Sequence, residues 1–297
     1  MIVRPPTGLA TAFAVLAAWL LPALAMARGP GVLFSVEGKQ NTVYLLGSVH
    51  LLRDSDDALP GAADEAYADA ERVVMEIDLD DPSIADASKM LAEMQRAALL
   101  PEGQTLRRVL GADYDSIAQQ VRGSALELAA LDRFAPWFVA MMLLQLELAE
   151  RGFRPELGIE QRIAERAGRD AKPIEGLETP AEQFALLGGL PLPEQKRFLE
   201  MTLEDTADLD EELEEMLAAW RTGDTVALAR LLANAYEEFP ELYGPLTEHR
   251  NRAWVEELEH LLEDRDDYLV VVGALHLVGR NSVVDLLRER GHTVTQQ

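Results

Sequence analysis

The chain has 297 residues, 48% of them hydrophobic, and no cysteine, so its stability comes from a buried core without disulfide staples. Thiolate metal ligands and thiol catalysis are excluded on the same ground. Lys and Arg number 27 against 52 Asp and Glu, a formal charge of −25. That surface repels nucleic acid and anionic lipid heads, attracts cations or basic peptides, and for most of its carboxylates serves only solubility.

The N-terminus reads as an export signal over residues 1–27. Arg4 supplies the positive start, Gly8 to Leu24 is apolar, and Ala25-Met26-Ala27 has the small-x-small form of a cleavage site. The alternative is an uncleaved anchor; Pro22 and the small residues at the end favour cleavage. The expected mature protein begins near Arg28, is periplasmic or secreted, and has no stable membrane span, since no second long apolar run follows.

Val32 to Glu37 and Asn41 to Leu46 read as a hairpin turned at Gly38-Lys39-Gln40, whose second arm runs on to His50. Leu59 to Ala70 has helical spacing, and Arg72 to Asp78 returns as a strand carrying Glu76 between Met75 and Ile77. From Asp81 to about Gly152 the pattern is helical. Pro136 opens a long apolar helix through Trp137, Phe138, Leu144 and Leu148, read as core or cleft wall.

Gly158 to Ala167 is another helix, with Glu160 an acidic side chain in its first turn. Lys172 to Glu175 is a short strand, followed by a helix with Thr179 as N-cap and Pro180 at its first position. Leu192 to Tyr236 and Glu248 to Glu263 are amphipathic, and the acidic run Glu204 to Glu215 reads as a solvated face. Tyr268 to Val272 is a buried strand, Asn281 to Arg290 a helix, and Thr293 to Thr295 a last strand. The expectation is an α/β fold: one domain over 28–297, with strands at both chain ends and a helical subdomain at about 81–265.

Two copies of one pattern stand out: Leu45-Leu46-Gly47-Ser48-Val49-His50 and Val271-Val272-Gly273-Ala274-Leu275-His276. Each is an apolar strand, a glycine and a histidine three residues later, which sets an imidazole at an open sheet edge where ligands of α/β folds bind. Neutral imidazole and carboxylate oxygen suit Zn, Mn, Co or Fe, and Glu76 is the first carboxylate to consider; costly to bury unpaired, it needs a cation, an Arg or a hydrogen-bond network, its other reading being a structural ion pair at a strand end. Glu178 sits before a helix N-terminus, as a capping charge or a group pointing into a cleft. Arg250 and Asn251, on the helix feeding the second histidine strand, are candidates for holding an anion and a substrate carbonyl, or equally for a charged, solvated helix face. No Gly-x-Ser-x-Gly, His-Glu-x-x-His or Gly-x-x-x-x-Gly-Lys pattern occurs, which removes the commonest serine hydrolase, zincin and nucleotide-binding readings.

With these residues assembled, the chain resembles the TraB/GumN family, the group that includes the Tiki metal-dependent proteases. The matching positions are Gly47 and His50, Glu76, Leu177-Glu178-Thr179 with Gln183, Arg250-Asn251 with Trp254, and Gly273 and His276, in family order. Glu160 departs from the pattern, the family more often having Asp there.

The resemblance implies a sheet of two related halves wrapped by helices, similar to the erythromycin-esterase and haem-binding ChaN-like group. It also implies a divalent-metal site (Mn, Co or Zn) on His50, Glu76 and His276, with Glu76 as ligand or general base. Arg250 and Asn251 would serve the substrate or oxyanion, Gly47 and Gly273 would border the site, and Glu178 would orient a ligand. The leading expectation is an exported hydrolase acting on a peptide or other small substrate. The alternative is a non-catalytic protein that sequesters a peptide, haem or metal in the same cleft; a structural envelope protein is a third, weaker reading. Oligomeric state is not legible in the sequence.

Overall fold

The computed structural model describes residues 31–56, 61–81, 86–122, 124, 126–203 and 209–297. The export signal expected at residues 1–27 lies outside them. In chain order the elements are β1 (Leu33–Glu37), β2 (Thr42–Ser48), α1 (Gly61–Asp69), β3 (Arg72–Ile77), α2 (Ala87–Ala98), α3 (Leu106–Leu110), α4 (Tyr114–Val121) and α5 (Pro136–Glu150). They continue with α6 (Ile159–Asp170), β4 (Ile174–Glu178), α7 (Pro180–Gly188), α8 (Leu192–Leu203), α9 (Leu209–Thr222), α10 (Thr225–Glu238) and α11 (Pro240–Tyr243). The last are α12 (Arg250–Leu261), β5 (Tyr268–Gly273), α13 (Val283–Glu289) and β6 (Val294–Gln296).

The six strands form one mixed sheet in the order β4-β3-β5-β2-β1-β6. β1 pairs antiparallel with both β2 and β6, while β5 lies between β2 and β3 and is parallel to both. All six residues of β5, Tyr-Leu-Val-Val-Val-Gly, are buried, as expected of a central strand covered on both faces. Ser48 is level with Gly273, and Met75 with Val271, so the carboxyl ends of β2, β5 and β3 lie side by side. Strands from opposite ends of the chain thus share one edge, where α/β sheets bind ligands.

The described residues divide into two compact units: those within 31–80, 152–177 and 209–297 form the first, and those within 81–151 and 178–203 the second. Helices α9 to α12 fall in the first unit, whereas the sequence placed everything to about 265 in one helical subdomain. The reason is where their apolar faces go: Trp220 of α9 is buried and donates from Nε1 to the Gly47 carbonyl at 2.7 Å, and Trp254 of α12 is buried beside His276.

In the second unit α5 is apolar nearly all round and packs against α8, so Trp137, Phe138, Leu144 and Leu148 are core. Thr179 caps α7 in a capping box: Glu182 N–H donates to its hydroxyl at 3.3 Å and Thr179 N–H donates to the Glu182 carboxylate at 2.8 Å. Among the described residues no helix is long and apolar enough to cross a membrane.

Candidate functional site

β2, β3 and β5 deliver His50, Glu76 and His276 to one edge, and Gly273 marks where they meet. A Cβ on Gly273 would lie 3.3 Å from Glu76 Oε1, 3.5 Å from His276 Cδ2 and 3.9 Å from His50 Nε2. The first glycine is the more tightly constrained, since a Cβ on Gly47 would stand 2.7 Å from Val32 Cγ1 and 3.0 Å from Ala274 Cα, at the second histidine turn. The two Gly-x-x-His turns are therefore packed together, and their glycines are what lets them approach.

Glu76 is 5% exposed at the end of β3. Its Oε1 accepts the Gly273 N–H at 2.8 Å and its Oε2 accepts from Arg250 at 2.6 Å. Burial alone would push its pKa up, but the Arg250 guanidinium, followed by the nearby imidazoles and the Gly273 N–H, holds it down at about 2. Arg250, 4% exposed, also donates to the Leu246 carbonyl at 3.3 Å and stacks over Trp254 at 4.6 Å.

His276 is 1% exposed. Asn251 Nδ2 donates to the Asn281 carbonyl at 2.8 Å, which turns Asn251 Oδ1 toward His276 Nδ1 at 2.5 Å. Nδ1 therefore carries the proton, and Nε2 offers its lone pair to Arg250 at 3.3 Å. Burial first and Arg250 second depress the His276 pKa to about 3, so the ring is neutral. Asn251, offered by the sequence as a substrate contact, holds this ring in the structure: it is 2% exposed and both ends of its amide are engaged inside the protein. It also lines a cavity of about 630 Å³ with Leu232, Tyr236, Glu248, Arg252 and Arg280.

His50 keeps 24% of its side chain exposed, and its Nδ1 lies 2.6 Å from Glu160 Oε1. Burial lowers its pKa, but the Glu160 carboxylate outweighs that and raises it to about 9. Glu160 is the site residue that sequence reasoning set aside. As a glutamate in a first helical turn it looks like a dipole charge, and it occupies that position in α6 too. The signal that could have pointed to it is Gly158, the N-cap that lets this turn approach the His50 loop. Glu178 is the last residue of β4.

The donor set suits a divalent metal in kind: two imidazoles, each with Nδ1 engaged by a side-chain oxygen so that Nε2 is the nitrogen left to face an ion once deprotonated and turned from its present contacts, and a buried carboxylate. Among the described residues, however, no three His, Asp or Glu side chains are drawn together as a metal cage. His276 Nε2 is 4.0 Å from Glu76 Oε1, and Arg250 lies against both residues. The guanidinium supplies the positive charge that Glu76 requires.

Comparison with known proteins places the chain as a whole. The model of the TraB/PrgY/gumN family matches residues 32–296. The chain belongs to that family. Its curated relatives include the uncharacterized protein YbaP of Shigella flexneri and of Escherichia coli K12, each 25% identical over 260 residues, covering 87% of this chain and 92% of the relative. The metalloprotease TIKI2 of Xenopus tropicalis is 24% identical over 305 residues, covering 84% of this chain and 57% of that protein. No solved structure matches the chain.

Proposed function

We propose that this TraB/PrgY/gumN family member is an exported metal-dependent hydrolase acting on peptides. The observation that carries the reading is the convergence of His50, Glu76 and His276 on Gly273 from three neighbouring strand ends. The distant relationship to a metalloprotease supports the class of reaction. His50 and His276 would hold the ion through Nε2 with Glu76 beside them, Mn, Co and Zn being the candidates. When bound, the ion supplies Lewis acidity toward water and a substrate carbonyl.

The chain's own residues do the rest. Glu76, held by Arg250 and the Gly273 N–H, would take a proton from the attacking water, and Arg250 beside it would face the oxyanion. Asn251 keeps His276 in the tautomer with Nε2 unprotonated. The finer fold assignment, a two-half sheet of the erythromycin-esterase and ChaN-like kind, belongs to the same proposal.

The test is to strip the protein of metal, titrate it with Mn, Co or Zn, and measure stoichiometry together with cleavage of a mixed peptide library. Glu76→Gln runs alongside. One ion per chain, with cleavage lost in Glu76→Gln, is the expected result. No uptake overturns the metal assignment, and uptake without cleavage moves the protein to the binding class.

A further inference from the structure

A buried carboxylate with an unpaired oxygen destabilises the fold that contains it, so its presence calls for a task. Glu160 is 8% exposed, and its Oε2 is buried with no hydrogen-bond partner among the described residues. Its Oε1 is crowded instead, accepting from the fully buried Ser48 hydroxyl and meeting His50 Nδ1 at 2.6 Å. One oxygen thus joins the end of β2 to the first histidine.

The backbone is shaped for this contact. A Cβ on Gly158 would fall 2.0 Å from the His50 carbonyl oxygen, so only glycine lets the start of α6 come this close. Ile159 N–H donates to the Val49 carbonyl at 3.0 Å, and Leu52 and Arg154 exchange backbone hydrogen bonds at 3.2 and 3.0 Å. The His50 loop is therefore clamped to the segment that carries Glu160.

We propose that Glu160, steadied by Ser48, is the positioning residue of His50. It engages Nδ1 and thereby turns Nε2 toward Gly273 and Glu76. It mirrors what Asn251 does for His276: one side-chain oxygen per imidazole sets each ring, although the two partners come from different helices. The consequence for ion binding rests on the metal reading above; the positioning itself does not. Partners of this kind typically change metal affinity by about 10–100-fold.

The full chain is labelled with ¹⁵N-histidine, stripped of metal, and compared with Glu160→Ala, Glu160→Gln and Ser48→Ala, with folding checked by circular dichroism and the His50 resonances assigned from His50→Ala. Proton–nitrogen NMR then follows the Nδ1 proton of His50, and calorimetric titration with Mn follows affinity. Wild type is expected to show a downfield, slowly exchanging Nδ1 proton. Glu160→Gln, whose amide oxygen still accepts, keeps that proton at a less downfield position, and Ser48→Ala shifts it. Glu160→Ala loses it and binds Mn about 10–100-fold more weakly.

An unchanged Nδ1 proton in folded Glu160→Ala overturns the proposal. Should that variant not fold, an unchanged shift in Glu160→Gln does the same. If wild type takes up no Mn, and Co and Zn in its place also fail to bind, the metal reading falls while the Nδ1 proton still decides the role of Glu160.

Discussion

Glu76 and Arg250 are 5% and 4% exposed and 2.6 Å apart, so neither can lose the other without leaving a buried charge. Removing one partner of such a pair destabilises by about 3–5 kcal/mol. Urea unfolding of metal-free Glu76→Gln and Arg250→Met should each show a loss of that order. The double variant should lose clearly less than their sum, because it leaves no lone charge. Additive losses would mean that the two side chains do not interact. Asn251→Ala removes the acceptor at His276 Nδ1, and about 1–3 kcal/mol of stability should go with it in the same measurement. These contacts were partly legible: a glutamate inside Val-Val-Met-Glu-Ile announces that it needs a partner, but nothing in the chain says that the partner is Arg250 rather than an ion.

At the scale of elements, the strand ends carry the chemistry and the glycines decide how closely the elements approach. Two glycines near α6 make a contrast. Gly158→Ala drives a Cβ into the His50 carbonyl at 2.0 Å, whereas a Cβ on Gly168, inside the same helix, meets nothing within 4 Å among the described residues. Thermal unfolding should place Gly158→Ala below wild type by about 1–3 kcal/mol or more, through overpacking. Gly168→Ala should lie about 0.5–1 kcal/mol above it, by limiting the unfolded chain and favouring helix. Equal effects at the two positions would refute the close approach of α6 to the His50 loop. The strands and the α7 cap were readable because alternation, apolar runs and a Thr-Pro start act locally. The role of Gly158 was not, because its constraint comes from a carbonyl more than a hundred residues away in sequence.

For the whole molecule, three shifted groups give metal-free protein a stability curve with two limbs. The Glu76 pKa falls from 4.5 to about 2 on folding and that of His276 from 6.5 to about 3, so their contributions hold above the unfolded values and are lost on acidification. The loss starts below 6.5 for His276 and below 4.5 for Glu76. His50 has the opposite sign: raised from 6.5 to about 9, it contributes fully below 6.5 and loses that contribution as pH climbs to 9. Calorimetric melting should therefore peak near pH 6.5, and Glu160→Ala should flatten the alkaline limb while leaving the acid limb in place. A melting temperature that climbs from pH 6.5 to 9 would contradict the His50–Glu160 contact.

The amino-acid order by itself determined the α/β class, the positions of the strands and the chemical kinds at the site, because period, glycine turns and a lone acid in an apolar run are local properties. The repeated Gly-x-x-His frame put two imidazoles at strand ends without any knowledge of the sheet. Only the tertiary structure decided which strands are neighbours, and so that His50, Glu76 and His276 share one edge. It also assigned Arg250 to Glu76, Asn251 to His276 and Glu160 to His50. Those partnerships are contacts between distant segments, and a side chain's task at a buried site is set by what the fold packs against it.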